Sequence, residues 1–119
     1  HFKDLKSLSL SDCHGLSSES LTLLEGLNLS RLSLANLEAV NDNVIQRLPK
    51  SLTFLDISYC HSVTDFGSLP ENITELVARR TNFQTCSRYI AALEKLDLAE
   101  CHLLTDSLLQ EMLRECSLS

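Results

Sequence analysis

The sequence predicts an α/β solenoid. It should form a short right-handed arc, with about five parallel strands on a concave face and helices or extended segments on the convex face. Three observations predict this. Leucine supplies 26 of 119 residues, while aromatics make up only 5%. The pattern L-x-x-L-x-L-x-x-C/N recurs five times, starting at Leu5, Leu29, Leu52, Ile73 and Leu93. The starts lie 24, 23, 21 and 20 residues apart, the period of stacked coils rather than of independent helices.

Each copy has a physical reading. The L-x-L core alternates, so its leucines point to one face of a short strand and the residues between them to the other. Stacked at about 4.8 Å, the strands line up their leucines as one buried ladder. The ladder residues are Leu5, Leu8, Leu10 and Cys13; Leu29, Leu32, Leu34 and Leu37; Leu52, Leu55, Ile57 and Cys60; Ile73, Leu76, Ala78 and Thr81; and Leu93, Leu96, Leu98 and Cys101.

The return paths differ. Leu21, Leu24 and Leu27 predict a helix from Ser18 to Leu27 after the first strand, capped by Ser17 or Ser18. Asn41 or Asp42 caps a second helix carrying Val44, Ile45 and Leu48, and Asp106 a third carrying Leu108, Leu109, Met112 and Leu113. Gly67 and Pro70 leave the third copy only an extended or 3₁₀ crossing. The fourth has room for one helical turn near 86–91.

The turn after the strand recurs as well. Cys13-His14-Gly15-Leu16-Ser17-Ser18 matches Cys60-His61-Ser62-Val63-Thr64-Asp65 and Cys101-His102-Leu103-Leu104-Thr105-Asp106. With this turn, residues from about 3 to 116 resemble the cysteine-containing leucine-rich repeats of F-box substrate receptors. Leu48-Pro49-Lys50-Ser51-Leu52 and Leu69-Pro70-Glu71-Asn72-Ile73 look more like the L-P-x-x-L entry of shorter repeats in protist and bacterial effectors. The F-box resemblance implies, as one alternative, the substrate-recognition part of a ubiquitin ligase receptor. Another is a small leucine-rich-repeat subunit or assembly factor of a large complex, such as a mitochondrial one.

Charge and composition exclude several functions. Sixteen acids against ten bases give a net charge of −6, which disfavours nucleic acid as a partner. Apolar runs are too short for membrane insertion. Three Cys-His pairs suggest zinc, but they sit in alternate copies, about 10 Å apart on strand spacing, whereas zinc ligands gather within about 4 Å of one another. Cys13, Cys60 and Cys101 are therefore expected to be buried and structural, with no metal and no cofactor. Nothing in the sequence sets a base beside Cys86 or Cys116, so no catalytic residue is assigned and the chain reads as a non-enzyme. Five cysteines in a chain with its own core favour free thiols in a reducing compartment, the cytoplasm first and the mitochondrion or nucleus after it.

The remaining candidate is the surface between the ladder leucines. Its first two copies are serine-rich, whereas copies three to five offer aromatic and charged side chains of the kind enriched in binding hot spots. Phe54, Asp56, Tyr59, Arg79, Arg80, Lys95 and Asp97 are the candidate residues for a protein partner. The function expected is a protein–protein interaction scaffold, binding through this face or through an open solenoid end. The chain begins at His1 without an initiator Met and is read as one domain, 1–119, of a larger assembly. Terminal repeats need a cover, so further repeats or a partner subunit are expected over at least one end, with Leu93, Leu96 and Leu98 the suspected bare edge.

Overall fold

A computed structural model describes residues 4–83 and 93–117, the last three as backbone only. Five three-residue strands form one open parallel sheet in chain order: β1 (Ser7–Ser9), β2 (Arg31–Ser33), β3 (Phe54–Asp56), β4 (Glu75–Val77) and β5 (Lys95–Asp97). Leu8, Leu32, Leu55, Leu76 and Leu96 are register partners across it, so the five copies stack as the spacing predicts.

Hydrogen bonding between copies follows one rule. The N–H of the third ladder residue donates to the carbonyl two residues before its counterpart's turn in the next copy: Leu10 to Ser33, Leu34 to Asp56, Ile57 to Val77 and Ala78 to Asp97, at 2.8–2.9 Å. The residue just before the fourth ladder site donates in the same direction, Asp12 to Ala35, Asn36 to Ser58, Tyr59 to Arg79 and Arg80 to Ala99. To do so it turns left-handed, and Asp12, Asn36, Tyr59, Arg80 and Glu100 all have φ between 53 and 66°. Asp and Asn tolerate that region, while Tyr, Arg and Glu occupy it at a cost of about 1 kcal/mol or more each. For Tyr59 and Arg80 the ladder bond that the N–H completes offsets that cost.

Burial follows the stacking. The twelve ladder sites of copies two to four are 0–4% exposed, while Leu5, Leu8 and Leu10 at one end and Leu93, Leu96 and Leu98 at the other are half-buried. Ala78, the smallest ladder residue, is itself fully buried.

The crossings are short. Helix α1 (Ser18–Leu21) tightens into a 3₁₀ segment, Thr22–Gly26, instead of running on as α-helix to Leu27. Leu21 and Leu24 reach the core, and Leu23 stays 77% exposed. Helix α2 spans Asp42–Gln46 and α3 spans Asp106–Ser117, with a 3₁₀ turn, Phe66–Ser68, in the third copy as expected. The fourth crossing, near 86–91, lies outside the described residues.

Ser17 Oγ accepts the Ser20 N–H and Asn41 Oδ1 the Val44 N–H, so both are caps. Asp106 is not the third cap. Thr105 Oγ1 accepts the Leu108 N–H at 3.2 Å, which leaves Asp106 as the first helical residue, where its charge suits the helix N-terminus.

One carboxylate joins two crossings. Asp42 accepts from the Thr64 hydroxyl (2.6 Å), the Thr64 N–H (2.8 Å) and the Asp65 N–H (3.0 Å) in the next copy. Burial opposes its charge, but these three donors outweigh that and hold the carboxyl below its ordinary value of 3.8. With the folded value depressed, the bracket stabilises the fold above the unfolded carboxylate value. The contribution is lost as pH falls through the lower folded value.

Candidate functional site

The strand residues facing away from the ladder form lateral rows fixed by the register. One row runs Ser7, Arg31, Phe54, Glu75 and Lys95, and the next Ser9, Ser33, Asp56, Val77 and Asp97. The seven candidate residues all fall on this face or on the turns bordering it. Phe54, Asp56 and Asp97 are half-buried, while Tyr59, Arg79, Arg80 and Lys95 are exposed, Tyr59 to 40%.

The geometry ties some of them together. Arg79 Nε meets Asp97 Oδ2 at 2.7 Å across the β4–β5 boundary. The other oxygen of Asp97 accepts the Ala99 N–H at 3.1 Å, and Asp56 accepts the Ser58 N–H in the same way at 2.9 Å. These aspartates close the strand-to-turn corner of their own copies. The Ala99 N–H and the Arg79 guanidinium hold the Asp97 carboxyl below the usual carboxylate range. The hydrogen bond and charge of Asp97, then the charges of Asp56 and Tyr59, raise Arg79 above its already high value. Arg79 is therefore a fixed cation between acids rather than a free one. Arg80 is held more loosely, its Nε 3.9 Å from Glu100 Oε2. Lys95 stands at the end of its row beside Glu75.

Sequence reasoning missed one member. The Arg31 guanidinium lies over the Phe54 ring, 4.1 Å from its centroid, a cation–π stack between adjacent copies. The signal was present, because Arg31 and Phe54 each follow the first ladder residue of their copies by two and must be row neighbours. Grouping copies one and two together as serine-rich hid it. Tyr59 and Arg80 gain a second meaning too. Both have the left-handed backbone of the turn row, which lies five positions past the Arg31–Phe54 row in each copy.

The cysteines divide. Cys60 Sγ donates to the Leu34 carbonyl and Cys101 Sγ to the Ala78 carbonyl, each at 3.1 Å and each reaching the preceding copy. Burial pushes the Cys60 thiol up to about 11. Cys13 contradicts the expectation of burial: it is exposed, since among the described residues no copy precedes it to cover it. The side chains of Cys86 and Cys116 lie outside the described residues. Site-resolved thiol labelling at neutral pH should modify Cys13 in the folded protein, and Cys60 and Cys101 only at the rate of unfolding. Rapid native labelling of Cys60 would contradict this arrangement. Among the described residues no group of three or more His, Cys, Asp or Glu side chains is placed to hold a metal ion, and no helix is long and apolar enough to cross a membrane.

No curated protein and no solved structure matches the chain at a significant level. A family model described as Leucine Rich repeat matches residues 49–67, the entry, strand and turn of the third copy. That match over one copy and the five-stranded parallel stack together support a fold of the leucine-rich-repeat type, an open α/β arc.

Proposed function

We propose that the chain is a non-enzymatic protein-interaction module that binds its partner on the solvent face of the sheet, around Arg31, Phe54, Tyr59, Arg79 and Arg80. The stacked Arg31–Phe54 pair carries the reading. An aromatic ring held half-buried, with a guanidinium fixed over it, is pre-ordered, so a partner covering it loses little further side-chain freedom. Tyr59 adds an exposed ring on the neighbouring turn, and the Arg79–Asp97 pair supplies a polar rim. Leucine-rich repeats are in general protein-interaction modules, which fits this assignment. The finer reading, substrate recognition within an F-box-type ubiquitin ligase receptor, rests on the cysteine-bearing turns of copies three and five, whose thiols share one geometry.

The test is affinity capture from cell extract, followed by titration of the captured protein against the purified chain. Tyr59 should be changed to Asn, which tolerates its left-handed backbone, so that a lost contact is not confused with a damaged turn. Phe54→Ala and Tyr59→Asn together should weaken binding at least about tenfold, or 1.4 kcal/mol, with cooperative unfolding retained. Undiminished affinity in a folded double variant would remove the sheet face as the binding site.

A further inference from the structure

The arginines of the sheet face differ in what answers their charge. Arg79 has Asp97 at 2.7 Å, and Arg80 has Glu100 at 3.9 Å. Arg31 has the Phe54 ring instead, and among the described residues no carboxylate pairs with it. The acids around it are placed otherwise. Glu75 shares its row but stands beyond Phe54. Asp56, one strand over and one row on, accepts the Ser58 N–H of its own corner. Asp4 is exposed and pairs with neither Arg31 nor Lys6, whose carbonyl accepts the Arg31 main-chain N–H at 3.0 Å. Away from Phe54, Arg31 neighbours Ser7, with Ser9 and Ser33 one row on, all short and uncharged.

An aromatic ring attracts a guanidinium but accepts none of its N–H donors as a carboxylate does. That is harmless while water reaches Arg31, which is exposed. It ceases to be harmless once the pair is covered, because a guanidinium taken out of water without an anion is strongly disfavoured and the ring offsets only part of the cost. Whatever covers Arg31 must bring the negative group that the chain itself does not place there. We propose that the partner segment seated on this face carries an aspartate or glutamate whose carboxylate pairs with the Arg31 guanidinium, with neighbouring residues of the segment over Phe54 and the three serines. The inference rests on the sheet face being the binding site and names the chemistry of its partner. A carboxylate suits the planar guanidinium fork, which can give it two parallel N–H···O bonds. At Arg79 and Arg80 the chain already supplies the acids, and its net charge of −6 repels an acidic segment elsewhere. The acid is therefore directed to copies one and two.

The probe is a phage-displayed library of random linear peptides, selected on the purified chain and then titrated one by one. The selected peptides should share an acidic position. Changing that acid to its amide should weaken binding to the parent chain at least about tenfold. On the Arg31→Gln chain the same peptide change should make less than about a twofold difference, because the group it answers is gone. Arg31→Lys, which keeps the charge and loses the fork, should fall between the two. Cooperative unfolding of both variants checks that the fold is retained, and Phe54→Ala tests the face independently of the charge. Peptides that need Phe54 but bind Arg31→Gln as well as the parent would overturn the inference and leave the sheet face standing. Peptides indifferent to both changes would remove the face itself, and a library that yields no Arg31-dependent peptide would also overturn the inference.

Discussion

Leu55→Ala is expected to destabilise the protein by about 3–5 kcal/mol, a large share of the roughly 5–15 kcal/mol that a domain possesses. Leu55 is fully buried at the centre of the middle strand, with Leu32 and Leu76 as its register neighbours, both also buried. Its removal takes away transfer free energy and opens a void that the flanking coils cannot close, because each is pinned by main-chain bonds to its neighbour. The same change at Leu8, half-buried in the end copy, should cost less than half as much, since water already reaches part of that side chain. Chemical denaturation of the two variants checks this. Equal costs at both sites would mean that the ladder is not the core.

The second large effect is expected at Phe66, in the 3₁₀ crossing of the third copy. Phe66 is 0% exposed and meets Phe83, 1% exposed, edge to face with ring centroids 5.0 Å apart. Phe66→Ala should cost about 3–5 kcal/mol, and Phe66→Leu clearly less, because leucine keeps most of the volume and loses the edge contact. A double-mutant cycle with Phe83→Leu should show coupling of about 0.5–1.5 kcal/mol, the part due to the ring pair itself. A loss below about 1 kcal/mol for Phe66→Ala would place the third crossing outside the cooperative unit. Where copy three has no α-helix, these two rings take the role that Leu21 of α1 and Val44 and Ile45 of α2 have elsewhere.

The ladder was legible because strand alternation and a 20–24-residue period act on the same residue type, so five copies reinforce one another. Phe66 and Phe83 were not, because neither belongs to a periodic pattern and only the stacked coils bring them together. Cap positions were legible to within a residue. Thr105 and Asp106 both suit a helix start, and only the backbone decides which side chain reaches the third N–H beyond it. The left-handed turn row was hidden because no glycine marks it. The strain its residues share is set by the main-chain ladder rather than by their side chains.

The candidate site shows the same division. Its seven residues were readable because a strand has two faces and the ladder occupies one. Their pairing was not, because row neighbours belong to different copies and meet only through the register. Arg79 with Asp97, and Arg31 with Phe54, are separated by about one repeat in sequence and by one strand in space. Cys13 failed for the same reason. Its sequence context equals that of Cys60, and only the copy before it differs.

Native-state hydrogen exchange tests the central claim most directly, namely that stability resides in copy-to-copy stacking and is greatest at the middle of the stack. The slowest amides should be those of Leu34, Asn36, Ile57 and Tyr59, which donate between the central copies, with Leu10 and Asp12 exchanging faster at the open edge. Central amides that exchange as fast as those at the edge, with the strongest protection confined to 106–117, would show that the stack is not what holds the molecule together.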